Sequence, residues 1–265
     1  MRKERPMLLA LDIGNTNIHV GLFEGDALRH SFCIGADPAR TADEYALLLS
    51  ALGNSCACPI NGITEAIVGS VVPGLTQVLT DAVARIVPVR VTVVGPGVKT
   101  GFALRLDDPS ELGADLAANA AGALGQFGAP VLIVDCGTAT TVSALDADGA
   151  FVGCAIRPGI RMSLDALHNT GLLPGVVAEA PLHPVGKNST EAIRIGVIRG
   201  EAIAVEGFLA AFRRELKLPD ATPVVLTGGH ANLIQPLLST DLHFRPHLTL
   251  QGLARIAALN AKRRR

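Results

Sequence analysis

Tryptophan is absent from the 265-residue sequence, tyrosine occurs once, and aromatic residues make up only 3%. With 49% of residues apolar, the core must be built from aliphatic side chains, and their helix faces have to be buried somewhere. Charge of one sign is also lacking. Lys and Arg number 23 against 24 Asp and Glu, a net charge of −1, which excludes a whole-chain electrostatic grip on nucleic acid. An apolar chain with so little net charge is not disordered. No apolar run reaches the roughly 18–20 residues of a membrane span, and the stretch 7–11 is interrupted by Asp12, so neither a span nor a secretory signal is expected. The five cysteines are odd in number and contain no CxxC; Cys56-Ala57-Cys58 is spaced too closely for a zinc knuckle. Reduced thiols in a cytosolic protein are the expectation. The basic run Lys262-Arg263-Arg264-Arg265 reads as a solvated tail.

What is present is an internal echo. Residues 8–26, LLALDIGNTNIHVGLFEGD, and residues 131–149, VLIVDCGTATTVSALDADG, share one pattern. Four apolar residues lead to Asp, a small or apolar residue, Gly and a Thr/Asn cluster, then to a β-prone run and a Gly/Asp turn. A further strand-like run follows each copy, at 27–34 and 150–156. The two Asp-x-Gly units, at Asp12 and Asp135, lie 123 residues apart. Two similar halves, each opening with a β-hairpin, are therefore expected, with the division placed at 1–112 and 113–265. Elsewhere helices (43–52, 76–86, 110–124, 191–216, 250–261) alternate with strands (66–71, 89–94, 223–227), the pattern of an α/β fold. Ser110 reads as a helix cap, and the long helix 191–216 is expected to break near Gly196 and Gly200.

The turn Asp12-Ile13-Gly14-Asn15-Thr16-Asn17 follows a buried strand. Gly14 lets the backbone approach a ligand closely, and successive N–H groups with the Thr16 hydroxyl can face an anion. Asp12, at the strand end, suits Mg²⁺ held directly or through water. The plain alternative is a β-turn with Asx-type bonds; the second copy, Asp135-Cys136-Gly137-Thr138, argues for a phosphate grip instead. Thr227-Gly228-Gly229-His230 ends a third apolar strand and offers bare backbone to a flat ring. His19 and His230 read as lining residues.

Two Asp-Gly-Thr hairpins followed by a Gly-Gly turn resemble the actin-like ATPase and sugar-kinase superfamily. DIGNTN, Arg40-Thr41-Ala42-Asp43-Glu44-Tyr45, Ser70-Val71-Val72-Pro73, Glu111-Leu112-Gly113-Ala114-Asp115, DCGTATT, Arg157-Pro158-Gly159-Ile160, Leu173-Pro174 and Gly186-Lys187-Asn188 fall in order. Together, over residues 8–259, they resemble type III pantothenate kinases, which carry out the first step of coenzyme A synthesis. The resemblance implies duplicated ribonuclease-H-like domains with a nucleotide cleft between them. It implies ATP contacts from Asp12, Ile13, Gly14, Asn15, Thr16, Asn17, Ile18 and His19 and from Thr138, with Mg²⁺ accompanying ATP. It makes Asp115 the catalytic base and places a monovalent cation, K⁺ or NH₄⁺, at Asp135. It assigns pantothenate contacts to Gly113, Ala114, Asp115, Leu116 and Ser189, and it implies a cytoplasmic homodimer. Phosphoryl transfer to a hydroxyl indeed needs positioning, charge neutralisation and a proton acceptor.

Several positions depart from the family pattern. Leu116 replaces an Arg that follows the catalytic Asp, Leu106 stands where a Tyr is common, Ser189 replaces Thr with Thr190 beside it, and Gly153-Cys154-Ala155-Ile156 replaces Gly-Gly-Ala-Ile. Arg105, Arg157 and Arg161 are the cations best placed in sequence to meet a substrate carboxylate. On the residues alone, a same-fold kinase for another hydroxylated acceptor and a weakly catalytic nucleotide-binding paralogue both stay open.

Overall fold

The structure, a computed structural model, describes residues 7–56 and 62–261. Cys58 and the basic run 262–265 lie outside the described residues. The chain divides into two compact units, one of Met1–Phe102, Asp108–Gly125 and Leu248–Arg265, the other of Ala103–Asp107 and Gln126–His247.

In the first unit β1 (Met7–Ile13) is paired antiparallel with β2 (Asn17–Glu24) and parallel with β4 (Ile63–Ser70). It is covered on both faces, which is why it reads as a near-continuous apolar run. The sheet order is β3-β2-β1-β4-β5, with β3 (Ala27–Gly35) and β5 (Val91–Val93) at the edges. Period-two alternation sends Leu9, Leu11 and Ile13 to one face and Ala10 to the other. The first face packs on α1 (Ala42–Ser55) and α2 (Pro73–Ile86) through Tyr45, Leu49, Leu75, Leu79 and Val83. The second packs on α3 (Ala114–Phe127) and α8 (Leu248–Asn260) through Ala118, Ala121, Leu253 and Ile256. The single tyrosine is fully buried, and its hydroxyl both donates to the Asp37 carbonyl and accepts from the Asp37 N–H. The Arg40–Tyr45 motif is thereby accounted for structurally. Thr41 caps α1, and Glu44 returns the bond to the Thr41 N–H at 2.7 Å, a capping box.

The second unit repeats the topology. Strands β6 (Val131–Cys136), β7 (Ala139–Leu145) and β8 (Phe151–Pro158) form the antiparallel part. Strands β9 (Val224–Thr227) and β10 (His243–Phe244) extend it in parallel, giving the order β10-β9-β6-β7-β8. Helix α4 (Ile160–His168), α6 (Gly200–Glu215) and the short α7 (Ala231–Ile234) cover one face. The expected duplication of an α/β unit opening on a hairpin is thus observed strand for strand.

Three expectations are corrected. The helix expected from Ser110 starts at Ala114; Asp108 accepts from the Ser110 N–H at 2.8 Å and folds Pro109–Glu111 into a 3-10 turn instead. The 191–216 helix does not break at its glycines. Helix α5 (Ser189–Arg194) passes through one π turn, Ile195–Arg199, directly into α6. The division at 112/113 differs from the observed one, because α3 and the C-terminal α8 both pack on the first sheet.

Helices α3 and α8 cross at bare backbone. A Cβ on Gly252 would lie 1.7 Å from the Ala118 carbonyl oxygen, and one on Gly122 would lie 2.8 Å from the Leu248 carbonyl oxygen. The Thr249 hydroxyl donates to the buried Asn119 Oδ1 at 2.8 Å beside this crossing. Gly252→Ala should therefore force the helices apart and lower stability by about 1–3 kcal/mol or more, measured by denaturant unfolding. A midpoint equal to wild type would show that the crossing is looser than described.

Candidate active site

The two hairpin turns are built on one bonding scheme. In the first, the Gly14 N–H donates to the Asn17 carbonyl at 2.9 Å, and the Thr16 carbonyl accepts from the Ala36 N–H just past β3. In the second, the Gly137 N–H donates to the Ala139 carbonyl at 3.1 Å, and the Thr138 carbonyl accepts from the Gly159 N–H just past β8. The carbonyl between Asp and Gly is matched as well. Ile13 O accepts from the Val71 N–H past β4, and Cys136 O accepts from the His230 N–H past β9. Each turn is thus fixed from two neighbouring strand ends, leaving Asp12 and Asp135 half-buried where their strands stop. Both glycine N–H groups are used within the turns and are not open to a ligand. Asn15, Thr16, Asn17 and His19 are exposed, as is Thr138. Ile13 and Ile18 are fully buried core residues, which leaves only their backbones to face a ligand.

In the first unit, Asp115 joins the neighbourhood of the Asp12 turn. It sits in the first turn of α3, where a carboxylate is favoured by the helix dipole, and its Oδ1 accepts from the Leu116 N–H at 2.8 Å. The preceding glycine brings this carboxylate close. A Cβ on Gly113 would lie 2.5 Å from Asp115 Oδ1 and 3.7 Å from Val71 Cγ1, and Val71 is the residue bonded to Ile13. Ser70 and Thr76 lock that corner, the Thr76 hydroxyl donating to Ser70 Oγ at 2.8 Å. Leu116 points into the core and is 8% exposed. An Arg in its place would have to be desolvated, so any contact of residue 116 with a ligand falls to its backbone.

In the second unit, Gly228 (φ +97°) lies against the Asp135 carboxylate, and a Cβ there would sit 2.5 Å from Asp135 Oδ1. Gly159 lies equally close to the turn, its absent Cβ falling 2.4 Å from Thr138 O. Asp135, Thr138, Gly159 and Gly228 are thereby brought together. Ser189 is exposed at the start of α5, whose cap is Asn188, and Thr190 behind it is half-buried. The three cations offered by the sequence all have carboxylate partners. Arg105 pairs with Asp146 and Asp148, Arg161 with Asp165, and Arg157 with the buried Glu201. The Arg157–Glu201 pair was not legible beforehand, since Glu201 lies 44 residues away on what reads as an ordinary helix face. Among the described residues no group of three or more His, Cys, Asp or Glu could hold a metal ion.

A repeated β-β-β-α-β unit with an acid at each first-strand end defines the class, the fold of actin-like ATPases and sugar kinases. A ROK family glucokinase from Streptomyces griseus, solved with glucose and AMPPNP, superposes with a TM-score of 0.52 at 15% identity, over 96% of this chain and 98% of that one. The family follows from sequence. Residues 8–211 match the profile of type III pantothenate kinase, and the chain belongs to that family. It is 39% identical to the type III pantothenate kinase of Moorella thermoacetica over 93% of this chain and 97% of the relative. It is 41% identical to that of Rubrobacter xylanophilus over 98% and 100%.

Gly113→Ala isolates the placement of Asp115. The backbone there is not left-handed, and the atom that must yield is the tip of a side chain. Stability should hardly change, while kcat should fall at least about tenfold, a barrier increase of about 1.4 kcal/mol. Equal kcat in the folded variant would show that the carboxylate position does not matter.

Proposed function

We propose that the chain transfers the terminal phosphoryl group of ATP to the primary hydroxyl of pantothenate, with Asp115 accepting the hydroxyl proton as the new phosphate ester forms and ADP leaves. The observation that carries this reading is the carboxylate of Asp115 held by Gly113 and α3 beside Val71, next to the turn that starts at Asp12. Asp12 to His19 and Thr138 are assigned to the nucleotide. Gly113 to Leu116 and Ser189 are assigned to the acceptor, with Leu116 acting through its backbone.

The residues present fit the ions that such a reaction uses. Mg²⁺ is commonly held by one or two carboxylates together with substrate phosphates rather than by a protein cage, and the half-buried Asp12 at a strand end suits that role. It would neutralise phosphate charge. A monovalent cation suits Asp135, because the bare Gly228 leaves free the space beside Asp135 Oδ1 that a Cβ would fill. Such an ion would offset the repulsion between this carboxylate and phosphate.

Retention of Asp12, Asp115 and Asp135 favours an enzyme over a nucleotide-binding paralogue, since half-buried acids without a ligand are costly. A homodimer is part of the same proposal. Leu172 and Leu182 are each 91% exposed, and Ile156, Val185 and Ile203 are exposed too, aliphatic surface that a second copy would cover. Light scattering giving the mass of one chain would remove that part. The free Cys33, Cys56, Cys136 and Cys154 fit a reducing cytoplasm, and no helix among the described residues is long and apolar enough to cross a membrane.

Asp115→Asn should keep the fold and nucleotide affinity but retain less than about a tenth of wild-type kcat in an ADP-release assay with pantothenate. A variant above that level would place the base elsewhere. Activity should also require K⁺ or NH₄⁺; equal rates in buffers holding Na⁺ as the sole monovalent metal would remove the cation from Asp135.

A further inference from the structure

One ion pair in the second unit has no part in the reaction described so far. Glu201, in the first turn of α6, is 1% exposed, and its Oε2 is bonded to the Arg157 guanidinium on β8. Its other oxygen, Oε1, has no partner among the described residues. A carboxylate this deep is retained against a large desolvation cost, so its position calls for a reason beyond stability.

The strand register supplies one. Cys136, Thr140 and Arg157 stand directly opposite one another across β6, β7 and β8 and so share a face of the sheet. That face is the one covered by α6, since Cys136 lies in the same core cluster as Ala202 and Val205. Thr140 is 1% exposed, with a hydroxyl that lacks a partner among the described residues. Two residues beyond Arg157, Gly159 clasps the Thr138 turn through its N–H, 3.1 Å from Thr138 O, and through its missing Cβ. Within the pair, Glu201 is the deeper partner and Arg157 the shallower, 29% exposed. The positive end of the buried dipole lies toward solvent, on the strand whose end, at Gly159, is bonded to the turn.

We propose that Arg157, held by Glu201, is a positioning residue for the Gly137-Thr138 turn. It fixes the end of β8 that clasps Thr138, and through that turn it sets nucleotide affinity while leaving the acceptor untouched. The proposal rests on the assignment of Thr138 to the nucleotide. Its physical basis is that the charged anchor fixes the strand end more firmly than an apolar contact, because moving Arg157 would leave Glu201 buried and unpaired.

The test measures Kd for Mg·AMPPNP by calorimetry, and KM for ATP and for pantothenate, in Thr138→Val, Glu201→Gln, Arg157→Lys and the double variant Arg157→Met with Glu201→Met. The double variant removes both buried charges at similar volume and guards against misfolding of Glu201→Gln, with folding checked by circular dichroism. Glu201→Gln and the double variant should raise Kd and KM for ATP about tenfold, with KM for pantothenate within about twofold of wild type. Arg157→Lys should stay within about threefold. If Thr138→Val weakens nucleotide but the folded double variant binds as wild type does, the positioning role is overturned and the pair is structural only. If Thr138→Val also binds as wild type does, the nucleotide assignment of the turn falls, and the proposal with it. A parallel rise in both KM values overturns it as well, since that marks a general loss of packing.

Discussion

The contact of α3 with α8 through bare backbone is the constraint on which the first unit depends. Gly252 against the Ala118 carbonyl and Gly122 against the Leu248 carbonyl bring the two helices as close as their backbones permit. That closeness lets two alanine-rich stretches cover a sheet face that would otherwise need bulkier side chains: Ala118 and Ala121 are both fully buried. It explains how a chain with 3% aromatic residues closes its core, since small residues pack well only when the elements themselves approach. It also fixes the height of α3, and with it the first-turn Asp115. The placement of that carboxylate therefore depends on Gly252, far later in the sequence.

The same economy of side chains appears at the turns. A carboxylate at the end of a central strand is costly to bury and of little use if it moves. Here each such acid is followed by a glycine whose N–H closes the turn and by a carbonyl that is bonded from the adjacent parallel strand. The two copies use equivalent bonds, Val71 to Ile13 and His230 to Cys136, although the residues share no side-chain chemistry. What the duplication preserves is the backbone scheme. Side chains are then free to differ, which is why one turn offers Asn15, Thr16 and Asn17 and the other only Thr138.

Much of this was legible in the sequence because it is local. Period-two runs ending in Asp-x-Gly give hairpins by turn chemistry alone, and apolar runs such as 224–226 give buried parallel strands. The strand-end positions of Asp12 and Asp135 follow from the same Asp-x-Gly pattern. The start of α3 was not legible, because Asp108 bonds to Ser110 and holds a 3-10 turn against good helix formers. Nor was the π turn. Gly196 and Gly200 read as breakers, yet the helix absorbs them by widening one turn, so that Ile193 before it, Val197 and Ile198 within it and Ala202, Val205 and Leu209 after it are all buried. The unit boundaries escaped local reading because α8 joins a sheet some 200 residues earlier in the chain.

Charge partners were the least legible feature. Arg105, Arg157 and Arg161 were equivalent as residues, but their environments separate them. Arg105 and Arg161, with side chains 54% and 73% exposed, hold the half-buried Asp146 and the exposed Asp148 and Asp165, pairs that water and salt screen and that add little to stability. Arg157 holds a carboxylate that water does not reach, and a buried charge with a single partner tolerates no displacement of that partner. Burial thus turns one arginine of three from a surface feature into a fixed point. Because that fixed point lies on β8, whose end at Gly159 is bonded to Thr138, a flexible-looking Gly-Thr turn is anchored to a charge that never leaves the interior.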